Sequence, residues 1–462
     1  MKERVALGNG LAVTGFVRAC AWVVIVLGLG AALGAGVFGW TGVLGPAVLA
    51  CLAGAAVGMA THATLRSYAF TVWVAVFVGG AMVHPPVLLT WFGYDLKGLI
   101  VPLIQIIMFG MGTTLSAGDF ARVARMPWPV LIGLLLQFGI MPVAGYLIAT
   151  GLGFSGEIAA GVVLIGSCPG GVASNVMAYL ARGNVPLSVT MTACSTLLAP
   201  LMTPLMMKLL AGRMITVDGT EMMLAICNMI IVPIVAGLVA NRILFSDRRA
   251  LARPGILVLL ALGSLIGALV VSATPVLFGP LHGGVVLGCL LISLVTLTKH
   301  VVQVLLGGSD NWLNRALPVI SMAGICLILG IITARSSSDL LSVGLPLAAA
   351  AILHNLTGYL LGYWGARLAG LDERDCRTVA IEVGMQNGGM ASGLAMNMLH
   401  SPKAALAAAM FGPWMNTSGS VLATWWRSRP TGIERPTEHD TETTCSAAGS
   451  FSKQPPEKLS AR

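Results

Sequence analysis

The sequence predicts an all-α polytopic membrane protein: an inverted-repeat secondary transporter with two discontinuous helices crossing at its centre. Three observations predict it. Of 462 residues, 56% are hydrophobic and only 10% charged, against roughly 25% charged in ordinary soluble domains. Fourteen apolar stretches approach or exceed the ~20 helical residues needed to cross a ~30 Å hydrocarbon layer. A Gly-rich motif in the sixth stretch recurs in the thirteenth. A soluble enzyme, a disordered chain and a disulfide-rich secreted module are excluded, since so few charges cannot clothe a globule of this size in water.

In chain order the stretches fall near 17–39, 41–61, 67–90, 98–116, 127–151, 157–181 and 186–211, then 219–245, 254–277, 283–306, 315–334, 340–369, 375–399 and 403–426. The start, Met1-Lys2-Glu3-Arg4 followed by an apolar run, resembles a signal peptide, but its apolar core is too long and another span follows at once. It reads as a retained first helix. With the N-terminus in the cytoplasm, twenty-one Lys and Arg fall on the inner side and five on the outer. That bias places both termini in the cytoplasm of a cell (inner or plasma) membrane and favours an even number of spans. The +9 net charge is therefore an orientation signal, with no nucleic-acid partner implied. Residues 1–427 form the transporter, in halves of about 1–213 and 214–427; the polar segment 428–462 reads as a disordered cytoplasmic tail. Cys51, Cys168, Cys194, Cys227, Cys289 and Cys326 lie in apolar stretches without any C-x-x-C pair and read as small packing residues.

Gly166-x-x-x-Gly170-Gly171-x-Ala173-Ser174 recurs 218 residues later as Gly384-x-x-x-Gly388-Gly389-x-Ala391-Ser392. Gln137 followed by Gly145-Tyr146 is echoed 217 residues on by His354 followed by Gly362-Tyr363, and Pro102 pairs with Pro318. Two halves of seven spans each must enter the membrane from opposite faces, which makes the repeat inverted.

Glu382 is the one carboxylate among eighteen acids that lies well inside an apolar span. Its burial costs at least ~2.5–3.5 kcal/mol on insertion scales, so such a residue usually partners a cation or a proton. It opens the run Glu382-Val383-Gly384-Met385-Gln386-Asn387-Gly388-Gly389, whose glycines weaken helix and let the backbone unwind. The matching span carries Cys168-Pro169-Gly170-Gly171-Val172-Ala173-Ser174-Asn175, where Pro169 removes a backbone donor. Two broken helices at corresponding places point to a transport site. Carboxylate, hydroxyl, amide and freed carbonyl oxygens suit a hard cation. The second half-helices, beginning near Gly171 and Gly389, present positive N-termini to an anion.

At these residues the sequence resembles the bile acid:sodium symporter family. The resemblance rests on Cys168 to Asn175, Ala181-Arg182-Gly183-Asn184, Leu187-Ser188, Met191-Thr192, Ser195-Thr196 and Glu382 to Asn387. Met108-Phe109-Gly110-Met111-Gly112, Gln137 with Met141-Pro142, and His354-Asn355 with Gly358-Tyr359 add to it. It covers roughly 95–245 and 315–427. The resemblance implies two coupling sodium ions and no other cofactor. The first site would be Ser174, Asn175, Ser188, Thr192 and Glu382. The second would be Gln137, Glu382, Val383, Met385 and Gln386, with Val383 and Met385 giving backbone carbonyls. An organic anion, bile-acid-like, pantoate-like or keto-acid-like, would lie beside Val172, Ala173, Asn387 and Gly388. Relatives carrying small hydroxy acids often have Thr where this chain has Val172. The family core has ten helices; this chain has about four more, placed by the repeat near 41–90 and 254–306. Span 67–90 also resembles the family's first helix, which would put the additional pair before it.

The expectation is a sodium-coupled symporter, not an enzyme, importing an organic anion by alternating access. Proton coupling through Glu382, or a sensor or channel that does not cycle, are the alternatives. Gly30-x-x-x-Gly34 reads as a close helix contact, and Lys299-His300-x-x-Gln303 as a snorkelling cluster. His354 reads as an interior hydrogen-bonding residue.

Overall fold

Polar backbone groups can persist in a hydrocarbon layer only when paired within the chain, so apolar stretches of this length fold as helices. The computed structural model describes residues 2–38, 41–62, 66–244, 254–305 and 312–431. The helices, in order, are α1 (Lys2–Phe38), α2 (Thr41–Ala60), α3 (Arg66–Val83), α4 (Ile100–Thr114), α5 (Ala117–Ala121) and α6 (Pro127–Gly151). Next come α7 (Gly156–Ser167), α8 (Ala173–Leu180), α9 (Val185–Met206), α10 (Gly219–Ile226), α11 (Val232–Leu244), α12 (Pro254–Ala273) and α13 (Pro275–Phe278). The last are α14 (His282–Lys299), α15 (Trp312–Arg335), α16 (Ser337–Leu368), α17 (Glu373–Gly384), α18 (Gly388–Asn397) and α19 (Pro402–Arg427).

All fourteen apolar stretches carry helix. Among the described residues, nine helical stretches are long and apolar enough to cross a membrane, with shorter apolar helices at Tyr68–Val83, Gly156–Ser167 and Val319–Arg335. The sixth and thirteenth stretches fall short because each is broken in two. One departure from all-α structure is a hairpin, Thr90–Trp91 paired antiparallel with Tyr94–Asp95. Phe92 and Gly93, both at positive φ, form its turn. The Lys97 amide, then Arg335 from the end of α15, hold the Asp95 carboxylate below its ordinary range. The tail expected over 428–462 lies mostly outside the described residues, which end at 431.

Two bodies emerge from the packing. One is a row running α1, α2, α3, α15, α4, α11, α14, α12, each helix against the next. The other gathers α6, α7, α8, α9, α16, α17, α18 and α19, with α6 against α16 and α19 against both α7 and α18. The row touches this second body through α3 and α15 on α19 and through α4 on α18.

Three positions differ from the sequence reading. Nothing lies within 4 Å of a Cβ added at Gly30 or Gly34; α1 instead meets α2 through Gly28 and Gly54, which face Ala47 and Ala21 carbonyls. Lys299 does not snorkel. It is buried, and its ammonium donates to the Ile243 and Leu244 carbonyls at 2.9 and 2.8 Å, capping the C-terminus of α11. The side chain of Gln303 lies outside the described residues. Arg377, one of the cations counted on the inner side, is 1% exposed. It pairs with Glu373 at 2.8 Å and donates to the carbonyls of Ala181, Trp426 and Pro430 at 3.2, 3.0 and 2.9 Å. The ends of α8 and α19 are thereby tied to the first turns of α17.

Close backbone approach sets the spacing of α4 and α11. A Cβ on Gly237 would strike the Phe109 carbonyl and stand 2.8 Å from the Gly112 Cα. Gly237→Val should therefore destabilise the purified protein by about 1–3 kcal/mol, the usual cost of overpacking. Gly30→Ala, in open space, should stay within about 0.5 kcal/mol. Thermal unfolding in detergent checks both; equal midpoints would contradict the packing.

Candidate functional site

Helix α7 ends where Pro169 forces the preceding residue into extended backbone, and Cys168 sits at φ −78°, ψ 159°. Helix α17 ends at Gly384, followed by Met385 at φ −106°, ψ 101°. The two breaks meet. Gly170 and Gln386 form an antiparallel bridge, with Gly171 N–H donating to the Met385 carbonyl at 2.8 Å and Asn387 N–H to the Pro169 carbonyl at 2.9 Å. A Cβ at Gly171 would lie 2.7 Å from the Gln386 carbonyl, so only glycine permits this approach. The chain then re-enters helix one or two residues from where the sequence placed it. α8 starts after Val172, and α18 after Asn387, whose side chain accepts from Met390 N–H at 3.0 Å.

Glu382, 2% exposed, lies on the last turn of α17 beside this crossing. Its Oε1 accepts from Ser174 at 2.6 Å and from Ser188, and its Oε2 accepts from Thr192 at 2.8 Å. Ser188 Oγ stands 2.8 Å from Asn175 Oδ1, and Ser174 Oγ 2.7 Å from the Gly171 carbonyl. So Ser174, Asn175, Ser188, Thr192 and Glu382, drawn from α8, α9 and α17, converge on one oxygen-rich cluster. Among the described residues, no Lys, Arg or His pairs with Glu382.

The second predicted set also assembles. Gln137 Nε2 donates to Gln386 Oε1 at 2.7 Å and to the Cys168 carbonyl at 2.9 Å. Gln386 Nε2 donates to the Val383 carbonyl at 2.6 Å. Glu382 and Gln137 line one small cavity together with Gly133, Gly170, Met191 and Ser195. The Met385 carbonyl is held by Gly171, and that of Val383 by Gln386, so both are already hydrogen-bonded. Val172, Ala173, Asn387 and Gly388 sit at the two half-helix N-termini, with Val172 exposed and Asn387 buried. Val172 supplies no side-chain cap to α8.

Sequence reasoning named neither Ser195 as a cavity-lining residue nor Asn355 as a partner of the break. Both stood in family-like motifs, yet only the fold reveals what they face. His354 is fully buried and its Nε2 lies 2.9 Å from the Met141 carbonyl, an interior role in which it does not reach the crossing.

Residues 101–280 match the Sodium Bile acid symporter family. The chain is 36% identical over 360 residues to the uncharacterized sodium-dependent transporter YocS of Bacillus subtilis, covering 78% of this chain and 91% of that one. It is 31% identical over 364 residues to the probable chloroplastic sodium/metabolite cotransporter BASS2 of Oryza sativa, covering 78% and 70%. With the human ileal sodium/bile acid cotransporter it shares 30% identity over 298 residues, 63% and 67% of the two chains.

Proposed function

The chain belongs to the sodium bile acid symporter family, whose members are sodium-dependent membrane transporters and not enzymes, and from that premise we propose that it is a sodium-coupled symporter importing an organic anion by alternating access. One observation carries the reading: a buried carboxylate surrounded by oxygen atoms, with no cationic side chain among the described residues paired to it, at the crossing of two broken helices. A cation supplies the missing positive charge. Ser174, Asn175, Ser188, Thr192 and Glu382 hold one sodium ion; Gln137, Glu382, Gln386 and the carbonyls of Val383 and Met385 hold the other. Each of those carbonyls already accepts one hydrogen bond, from the Gln386 amide or from Gly171 N–H, and its second lone pair is left for the ion. Ion binding and the shape of the crossing are thereby coupled.

The anion lies between the N-termini of α8 and α18, near Val172, Ala173, Asn387 and Gly388, where the helix dipoles favour negative charge. With Val172 in place of a hydroxyl, the site suits an anion whose neighbouring atoms are apolar. Fourteen spans in an inverted repeat, with both termini cytoplasmic in a cell membrane, complete the proposal. Its support is that α6, α7, α8 and α9 are followed about 218 residues later by α16, α17, α18 and α19. In the row, α3 lies against α15 as α11 lies against α4. The additional pairs are therefore α1 with α2 and α12 with α14, one at each end of the row, which replaces 41–90 by the preceding pair of helices.

Reconstituted vesicles with an inward sodium gradient test this with radiolabelled bile salts, pantoate and keto acids. Uptake of at least one should require sodium, and Glu382→Ala should lower it at least ~100-fold, because an interaction of about 2.7 kcal/mol or more is lost. Uptake that runs equally on potassium, or on a proton gradient alone, would overturn the sodium assignment. Val172→Asp should place a carboxylate at the α8 N-cap, where it occupies the anion's donors. Uptake should fall while sodium binding persists; unimpaired uptake would move the anion elsewhere.

A further inference from the structure

Each break in the crossing leaves helix-terminal carbonyls without their usual partners, and each is met by an amide from the helix packed behind it. In the first half this is Gln137 of α6, which donates to the Cys168 carbonyl. Its counterpart at the 218-residue offset is Asn355 of α16, one residue beyond the His354 suggested by the sequence pattern. Asn355 is fully buried, and its Nδ2 donates to the Gly384 carbonyl at 2.8 Å. Its Oδ1 accepts from Ser418 of α19 at 2.6 Å, and Tyr359 OH stands 3.2 Å from the same hydroxyl. Since Gly384 O can only accept, the partners fix which way the amide faces.

The peptide plane joining Gly384 to Met385 is thus pinned on both edges. Met385 N–H donates to the Ile381 carbonyl at 3.0 Å, and the Gly384 carbonyl is held by Asn355. That plane lies between the carbonyls of Val383 and Met385. The Tyr359 ring packs so closely that no Cβ fits at Gly384, and a Cβ at Gly358 would stand 2.7 Å from the Gly384 Cα. Gly388 N–H, the partner Gly384 O would have in an unbroken helix, donates to the Gln386 carbonyl at 3.0 Å instead. Without Asn355 the Gly384 carbonyl would lose its hydrogen-bond donor in a buried setting, which is costly. Its nearest relief is to rotate toward the helix axis, which turns the two flanking carbonyls with it.

We infer that Asn355, oriented by Ser418, is a positioning residue that sets the Val383 and Met385 carbonyls for the second sodium ion without touching the ion itself. The inference rests on the sodium reading above and deepens it. Thermal unfolding of the purified full chain, titrated with sodium chloride alone against potassium chloride at equal ionic strength, tests it. The rise of Tm with the logarithm of sodium concentration scales with the number of ions bound. Wild-type protein should show the slope for two ions and Asn355→Leu about half of it. Asn355→Gln, which restores the donor used by Gln137, should recover the full slope. Should Asn355→Leu fail to fold, Ser418→Ala keeps the amide and removes the hydroxyl that orients it, and should also lower the slope. A curve displaced to lower Tm but parallel to wild type, for either variant, means a purely structural role and overturns the inference. A wild-type Tm indifferent to sodium overturns instead the reading on which it rests.

Discussion

Two helices that break at the same depth of a membrane protein expose backbone groups that water cannot reach, and in this chain those groups are satisfied chiefly across the break itself. The antiparallel bridge between Gly170 and Gln386 uses the Gly171 and Asn387 N–H groups and the Pro169 and Met385 carbonyls. Among the other helix-end carbonyls, those of Cys168, Val383 and Gly384 accept from Gln137, Gln386 and Asn355, and that of Ser167 from Thr203. Unpaired backbone at this depth would cost several kcal/mol per group. The glycines at 145, 166, 358 and 362 follow from the same constraint, because each lets α6 or α16 approach a broken helix to backbone contact.

Onto this frame the chain places one polar cluster, built from α8, α9 and α17, that the sequence repeat does not duplicate. Subtracting the 218-residue repeat offset from Glu382 gives Leu164, while adding it to Ser188 and Thr192 gives Leu406 and Met410. The carboxylate therefore has no twin, although the crossing has. Three hydroxyls donate to Glu382, and charge-assisted bonds of this kind are about twice as strong as neutral ones. They orient the carboxylate but, among the described residues, bring no positive charge to it, and the proposed cation site rests on that imbalance. In the proposed mechanism, a charge held beside the backbone bridge couples ion occupancy to the geometry of the helix ends that would face the anion.

The breaks and the carboxylate were legible in the sequence because each violates a local rule. Pro169 and the glycine runs cannot continue a helix, and Glu382 cannot lie free in an apolar span. The partners of these residues were less legible. Asn355 is an ordinary amide until α16 is seen against Gly384. Arg377 is one inner-side cation among many until α8 and α19 close over it. Lys299 resembles an end-of-span lysine until α11 terminates beside it. In each case the deciding neighbour is more than twenty residues away in the chain, so no local pattern reports it. The Gly30-x-x-x-Gly34 motif failed for the converse reason: its spacing permits close packing without specifying a partner, and α2 packs on Gly28.

The account depends most directly on the crossing being a selective cation site. Equilibrium binding of radioactive sodium to the purified wild-type chain, competed by unlabelled sodium, potassium and protons, measures that without knowledge of the anion. Saturable binding of two ions per chain, displaced by sodium far better than by potassium, is the predicted result. An absence of saturable binding, or displacement equally by potassium, would contradict it.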